Sequence, residues 1–265
     1  MGKDTAEFVR GRARVLRNYN VHPTEIGNVE IMLPYAANTN TVPTLFWLIT
    51  YVFSQPQLVA RLHVEVASLA SREGSGNGSG QEVVVDLSNV EARCPQLTAC
   101  YRETLRMTNH QTSARRVVKD TILSDGKGNS YLLKAGVDVQ LSIATSHLTE
   151  DVWGPNPSEF NPDRWLRDSG AEDAKARRQA YQPFGGGHHL CPGRNFALAE
   201  IMAVMTTLLL GYDVDSLDGK PWKIPQWAEW SLVDSINKPV NDGAGLGVKM
   251  SRKSDWENVT LRYTF

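Results

Sequence analysis

The chain has 265 residues, 41% of them hydrophobic, which is enough for one large domain or two small domains with a buried core. Its 28 basic residues nearly balance 29 acidic ones, for a net charge of -1, and no run of like charge stands out. This balance excludes the basic surface of a nucleic-acid-binding protein. Three cysteines are too few for a disulfide framework, so Cys94 and Cys100 are expected to be reduced thiols.

The first residues carry no apolar signal segment. The longest apolar stretch, from Leu45 to Phe53, is too short to cross a bilayer and is interrupted by polar side chains. The sequence as it stands is therefore expected to be that of a soluble chain.

The first long element in chain order is a mostly apolar helix predicted from Thr24 to Phe53. Pro43 lies inside it and has no backbone donor, so the carbonyl of Thr39 loses its helical partner and the helix should bend. A polar cluster, residues 38–41, lies beside this bend in apolar surroundings. It indicates either a site that holds water or a ligand, or a kink whose polar groups are satisfied by threonine hydroxyls.

The remaining pattern predicts a mainly α fold with small β-sheets. Further helices are predicted over residues 58–71, 95–107 and 195–210, the last of them apolar on every face and therefore buried. Strands are predicted over residues 116–118, 131–133, 137–139 and in the tail, 259–265, with turns at 125–126 and 135–136. A glycine- and serine-rich loop occupies residues 74–80, and residues 153–165 should be irregular.

The segment from Phe184 to Gly193 carries the strongest chemical signal. Its three consecutive glycines allow the backbone to turn tightly and to approach a flat ligand closely. Cys191 follows them at the start of a predicted buried helix, where the helix dipole and free amide hydrogens favour a thiolate. A thiolate in this setting is suited to bind a haem iron from one side.

Three other interpretations of this segment remain. The glycines could cradle a phosphate, but no Gly-Lys-Ser/Thr follows them. His188, His189 and Cys191 could bind zinc, but a second pair of ligands at suitable spacing is missing. Cys191 could also be an ordinary buried cysteine. Haem ligation is favoured because the ten-residue pattern is long and specific.

Glu103 and Arg106 are three residues apart and therefore share one face of the helix that begins at Pro95. A pair of this kind on the surface has little effect, but Arg164 offers a third partner from the irregular segment. A glutamate that bridges two arginines would fix this segment onto the helix just before the cysteine loop. The role predicted for these three residues is structural.

In combination, the Phe-x-x-Gly-x-x-x-Cys-x-Gly, Glu-x-x-Arg and Pro-x-Arg segments resemble the cytochrome P-450 family in order and spacing. Within that family the chain is similar to the group of prostacyclin synthase and the sterol 7-alpha-hydroxylases, in a fungal form. Two segments carry this likeness: the motif from Ala36 to Trp47, and the tail from Pro239 to Gly247 followed by Arg262-Tyr263. The resemblance implies the C-terminal portion of the cytochrome P-450 fold.

The resemblance implies haem b as the cofactor and assigns roles position by position. Cys191 would be the proximal iron ligand, Phe184 would pack against the haem, and Gly193 belongs to the same loop. His189 and Arg115 would contact the haem propionates, although Arg116 is an alternative to Arg115. The positions implied for substrate contact are Ala36, Thr108, Ala114 and Ala244.

The chain departs from the family pattern in the kinked helix, where most oxygen-activating members carry an acid and then a threonine that relay protons. Thr39 and Asn40 stand at these two positions, and neither supplies a charge. Monooxygenation of a lipophilic, sterol-like substrate would use O2 and electrons from an NADPH-cytochrome reductase. A peroxide isomerase or dehydratase would need no reductase. Monooxygenation is favoured because sterol hydroxylases of the resembling group carry Asn here.

A second departure is length, since the chain is about half as long as the family's usual members. Residues 1–265 are interpreted as a single partial domain without the N-terminal half and its membrane anchor. A full-length form would lie on the cytosolic face of the endoplasmic reticulum membrane. An inactive truncated product is a further hypothesis, and the third is an α-rich domain whose cysteine loop is only structural.

Overall fold

The structure, a computed structural model, describes residues 6–73, 81–166, 170–228, 235–240 and 245–265. The helices are α1 (Glu7–Asn18), α2 (Pro23–Glu30), α3 (Met32–Phe53), α4 (Pro56–Ala67), α5 (Val90–Arg93), α6 (Pro95–Thr108), α7 (Ile143–His147), α8 (Glu150–Trp153), α9 (Ala171–Ala180) and α10 (Arg194–Gly211). The strands are β1 (Ala70–Glu73), β2 (Gln81–Asp86), β3 (Thr112–Arg116), β4 (Thr121–Ser124), β5 (Ser130–Leu133), β6 (Asp138–Ser142), β7 (Tyr212–Ser216), β8 (Val248–Arg252) and β9 (Val259–Thr264). Short 3-10 helices cover Pro162–Trp165, Gly187–His189 and Ser254–Trp256. The predicted fold class, mainly α with small sheets, is confirmed.

The long helix predicted from Thr24 to Phe53 is interrupted at Ile31, so it forms two elements, α2 and α3. Pro34 accounts for the interruption, because it has no N–H to offer the carbonyl of Glu30. A new helix that starts at Met32 places this proline in the first turn, where no donor is needed. Helix α3 then continues through Pro43 to Phe53.

The helix predicted from Leu58 to Ser71 is wrong at its C-terminal end, since α4 stops at Ala67. The following residues form β1, which pairs antiparallel with β2. Strand β2 also pairs in parallel with β9, and its residues Val83 and Val85 are buried in the core. The strands on either side of β2 pair with its backbone N–H and C=O groups in the core, and this long-range pairing overrides the local helical pattern.

The described residues also form three two-stranded antiparallel ladders: β3 with β6, β4 with β5, and β7 with β8. The strand predicted over residues 116–118 is displaced toward the N-terminus, because cross-strand pairing with β6 begins at Thr112 and ends at Arg116. Val118 lies beyond the ladder and is 86% exposed. The predicted turn at residues 125–126 joins β4 to β5, and the one at 135–136 precedes β6.

The hydrophobic core lies where the C-terminal half of α3 packs with α4, α6 and the C-terminal half of α10. Its fully buried large side chains include Trp47, Leu62, Leu97, Met202 and Met205. Helix α6 is thus surrounded by packed elements, which holds the residues that it carries in fixed positions.

Helix α10 extends over the predicted residues 195–210, but it is not buried on every face as predicted. Its C-terminal half is in the core, whereas Phe196 in the first turn is 65% exposed. Within the described residues, α10 is also the one helix whose length and apolar composition would allow it to cross a bilayer, and 44% of it is buried.

Candidate functional site

The loop from Phe184 to Gly193 is a tight turn that depends on its glycines. Gly185 and Gly187 adopt φ angles of +71° and +59°, a left-handed region that residues with a side chain rarely enter. A Cβ added to Gly185 would lie 3.5 Å from the carbonyl oxygen of His189. The loop is closed by a hydrogen bond of 3.0 Å, which the N–H of Cys191 donates to the carbonyl of Phe184.

Cys191 lies at the start of α10, two residues before Gly193, the residue that caps this helix. A Cβ added to Gly193 would lie 3.8 Å from the Cys191 sulfur, so the glycine keeps that side of the sulfur open. Cys191 also lies just before the N-terminus of α10, the positive end of the helix dipole. Cys191 is half-buried, whereas Cys94 and Cys100 are fully buried. Burial raises the pKa of Cys94 to about 12, so this thiol stays protonated.

The zinc interpretation of His188, His189 and Cys191 finds no support. Among the residues that the structure describes, no group of three or more His, Cys, Asp or Glu side chains is arranged to hold a metal ion. His188 and His189 are both exposed.

Glu103, Arg106 and Arg164 meet as predicted. Arg106 donates two bonds of 2.8 Å to the two carboxylate oxygens of Glu103, and both side chains are fully buried. Arg164 lies 3.3 Å from the same carboxylate and is nearly buried. It also donates to the backbone carbonyls of Pro155 and Asn156. This bonding fixes the irregular segment onto α6.

Two further residues complete this cluster, and the sequence analysis missed them. The indole N–H of Trp165 donates to Glu103 at 2.9 Å, and Arg177 of α9 donates to the carbonyl of Arg164 at 2.6 Å. Trp165 directly follows Arg164 of the Pro-x-Arg segment, and this position was the available signal. The pattern of α9 is polar on most faces and gave no signal for Arg177.

The polar residues of α3 bond to their own helix. The hydroxyl of Thr39 donates to the carbonyl of Tyr35 at 2.9 Å, and the amide of Asn40 donates to the carbonyl of Ala36 at 3.2 Å. The hydroxyl of Thr44 donates to the carbonyl of Asn40. None of these bonds involves the Thr39 carbonyl, which Pro43 leaves without its helical donor. The carbonyl oxygen of the Asn40 side chain is an acceptor without charge.

A loop near residue 237 makes hydrogen bonds both to α3 and to the end of α6. The indole N–H of Trp47 donates to the carbonyl of Asn237, and the Asn237 N–H donates to the carbonyl of Thr108 at 2.9 Å. Thr108 is fully buried, and its hydroxyl donates to the carbonyl of Thr104. Of the other predicted substrate positions, Ala36 and Ala114 are exposed, and Ala244 lies outside the described residues.

The two arginines predicted as alternatives for a propionate contact differ in their bonding. Arg116 makes a two-pronged ion pair with Asp138, at 2.7 and 2.9 Å. Arg115 is exposed and donates to Ser113 and to the carbonyl of Ala114, so it has no acidic partner among the described contacts. The guanidinium of Arg115 is therefore the better placed of the two to receive an anionic ligand.

Comparison with known proteins assigns this site to a family. A family model described as cytochrome P-450 matches residues 17–239, and this chain belongs to the cytochrome P-450 family. Family membership implies a haem cofactor. The arrangement of the residues fits that group, since a half-buried sulfur stands beside an open glycine loop in which a Cβ at Gly186 or Gly187 would meet nothing within 4 Å.

The similar proteins include fungal enzymes and sterol hydroxylases, as the sequence predicted. A cytochrome P-450 monooxygenase of Gibberella zeae is 39% identical over 260 residues, which cover 97% of this chain and 49% of that protein. A cytochrome P-450 monooxygenase of Hypoxylon pulicicidum is 29% identical, over 91% of this chain and 46% of that protein. The 25-hydroxycholesterol 7-alpha-hydroxylase of Rattus norvegicus is 28% identical, over 82% of this chain and 53% of that protein. The chain thus spans about half the length of the curated relatives that it matches.

Proposed function

We propose that this chain is the haem-thiolate portion of a monooxygenase that inserts one oxygen atom from O2 into a lipophilic, sterol-like substrate. The observation that carries the proposal is the Cys191 loop, whose half-buried sulfur lies at the start of α10 beside a glycine. The names of its relatives support the reaction class, since similar fungal proteins are monooxygenases and a similar rat protein hydroxylates a sterol. Haem b is the proposed cofactor.

In this proposal each residue of the site has a defined role. Cys191 would hold the haem iron through its thiolate, Phe184 would pack against the ring, and His189 and Arg115 would bind the propionates. The haem, when bound, supplies the iron at which O2 is reduced and cleaved. The Asn40 amide would orient a water molecule for the reaction, because it can donate and accept a hydrogen bond but carries no charge.

The substrate positions proposed are Ala36, Thr108, Ala114 and Ala244. The small side chains at three of them suit a bulky apolar molecule such as a sterol. Residues 1–265 would form a single partial domain, and the complete protein would act at the cytosolic face of the endoplasmic reticulum membrane with an NADPH-cytochrome reductase.

The test of the reaction class is the requirement for electrons. The haem-loaded chain is mixed with sterols, O2, NADPH and a cytochrome reductase, and a parallel sample receives a lipid hydroperoxide without any electron donor. We expect a hydroxylated sterol that depends on the reductase and carries label from 18O2. The variant Asn40→Asp, which places a carboxylate where most of the family has a threonine, tests the role proposed for the Asn40 amide; we expect it to take up haem like the wild type and to change the rate of hydroxylation.

Two results would overturn the proposal. Conversion of the hydroperoxide without electrons, together with no hydroxylation, identifies a peroxide isomerase or dehydratase. Haem uptake with neither reaction shows that the chain alone is a fragment without turnover.

A further inference from the structure

Each of the three residues from Gln182 to Phe184 makes a hydrogen bond through its backbone, and Gln182 makes a further one because its carbonyl accepts from the N–H of Gly185 at 3.2 Å. The N–H of Gln182 donates to the Nε2 atom of His147 at 3.1 Å. The carbonyl of Pro183 accepts from the side-chain amide of Asn109 at 2.7 Å. The carbonyl of Phe184 accepts from the N–H of Cys191 at 3.0 Å. The bonds with His147 and Asn109 involve side chains outside every motif quoted above.

Both side chains are buried polar groups. His147 is 0% exposed and Asn109 is 1% exposed. Burial of a polar group is unfavourable unless it is hydrogen-bonded, so such groups mark places where a bond has to be made. Asn109 uses both ends of its amide, because its Oδ1 atom accepts from the N–H of Gln111 at 3.1 Å. This second bond fixes which end of the amide faces Pro183.

His147 connects the loop to the charged cluster on α6. Its backbone carbonyl accepts from Arg106 at 2.6 Å, while its ring accepts from Gln182. Burial and the nearby charge of Arg106 lower the pKa of the ring to about 4, so the ring is neutral at pH 7 and one nitrogen remains an acceptor. One residue thus joins the arginine that neutralises Glu103 to the segment that ends in the cysteine loop.

Pro183 limits the backbone bonds that this segment can make. A proline has no N–H, so this segment cannot complete a regular ladder with a neighbouring strand. The hydrogen bonds between His147 and Gln182 and between Asn109 and Pro183 satisfy backbone groups that would pair with a neighbouring strand in a sheet.

We propose that Asn109 and His147 are positioning residues that fix the segment 182–184 and thereby the place of the Cys191 sulfur. The consequence for haem binding rests on the function proposed above, whereas the consequence for the thiol itself does not. Asn109, at the end of α6, would hold Pro183, and His147, at the end of α7, would hold Gln182.

The test compares the rate of thiol alkylation in the haem-free wild-type chain with the rate in four haem-free variants. Asn109→Leu and His147→Phe remove the two bonds, and His147→Gln keeps an acceptor near the Nε2 position. Thr104→Val is the matched control, since Thr104 is fully buried on α6 and loses one bond of 2.9 Å without touching the loop. The rate of alkylation is measured separately at Cys94, Cys100 and Cys191 by peptide mass spectrometry.

We expect Asn109→Leu and His147→Phe to raise the rate at Cys191 about tenfold, the change that loss of one buried hydrogen bond allows in a local opening equilibrium. Cys94 and Cys100 should keep their low rates, and His147→Gln should return Cys191 near the wild-type rate. Equal increases of the alkylation rate at all three cysteines would show that Asn109 and His147 contribute only to general stability, and would overturn the proposal. No change at Cys191, or an equal change in Thr104→Val, would overturn it as well.

The haem-loaded forms give a second readout. The two bond-removing variants should show a larger share of the carbon-monoxide spectrum that marks a lost thiolate ligand, and Thr104→Val should not. If the wild-type chain takes up no haem, the proposed function fails for this chain, while the alkylation rates still decide the positioning role.

Discussion

The Glu103 cluster and the Cys191 loop are joined through His147, yet they differ in how far the chain encloses them. The side chains of Glu103 and Arg106 are 0% exposed, and all their charged partners belong to described elements of this chain. In the Cys191 loop His189 is exposed, and in the first turn of the following helix Phe196 is 65% exposed. Buried charges are tolerated only when they are paired, so the cluster must be complete in itself. An apolar side chain such as Phe196 can stay exposed at a smaller free-energy penalty.

The largest effect should come from the cluster. Glu103→Gln removes the charge that two buried arginines share, and we expect it to lower the free energy of unfolding by about 3–5 kcal/mol. The matched control is Glu82→Gln, which removes an exposed carboxylate paired with Arg262 and should change stability by less than about 1 kcal/mol. Urea denaturation measures the free energy of unfolding of both variants. Similar losses in the two variants would contradict the view that burial makes the cluster essential.

Acid should weaken the connection between the two regions. His147 has a pKa of about 4 in the folded chain against an ordinary value of 6.5, so the unfolded chain takes up the proton first. The stability that depends on the neutral ring is therefore complete above pH 6.5 and falls as the pH drops toward 4, by about 3 kcal/mol in total. Arg106 and His110 both oppose the protonated ring.

Unfolding free energies between pH 7 and pH 4 check this prediction. His147→Gln should flatten the acid limb of the curve in this window, whereas Thr104→Val should keep its slope. An unchanged slope in His147→Gln would show that another group controls the acid response.

A smaller effect is expected at the start of α6. The carboxylate of Glu65 on α4 accepts from the N–H groups of Gln96 and Leu97 at 2.8 and 2.9 Å, and so caps this helix from outside. Glu65→Gln should lower stability by about 1 kcal/mol, because the capping charge at the helix N-terminus is lost. Glu91→Gln, which removes only an exposed pair with Arg102, should have less effect in the same denaturation experiment. A larger loss of stability in Glu91→Gln than in Glu65→Gln would show that the N-terminus of α6 needs no negative charge.

The smallest effect distinguishes two adjacent glycines of the loop. Gly185→Ala places a side chain at a φ of +71°, and we expect a loss of about 1 kcal/mol. Gly186 is in extended backbone and faces open space, so Gly186→Ala should leave stability unchanged. Thermal unfolding midpoints of the two variants test this difference, and equal midpoints would contradict the turn geometry described.

Much of the cluster could be predicted from the sequence because local rules place its parts. A spacing of three residues puts Glu103 and Arg106 on one helix face, and the need of a buried carboxylate for donors pointed to Arg164. The interruption at Ile31 was also encoded locally, by Pro34, although the sequence analysis did not use it.

The residues that the sequence did not reveal act across the chain. Asn109 and His147 each bond to backbone atoms far along the sequence, and a backbone atom leaves no residue-type signal at its own position. The exposure of Phe196 escaped prediction for a related reason. A helix that is apolar on every face indicates burial, but the pattern does not say which of its turns the chain itself covers.

The central claim is that the Cys191 sulfur binds a haem iron, and one spectrum tests it most directly. The chain is loaded with haem, reduced and exposed to carbon monoxide, together with Cys191→Ala and with Cys100→Ala as the control for loss of a buried cysteine. The account predicts the red-shifted Soret band of a thiolate ligand in the wild type and in Cys100→Ala, and its absence in Cys191→Ala. A chain that takes up no haem, or a red-shifted band that survives in Cys191→Ala, would contradict it.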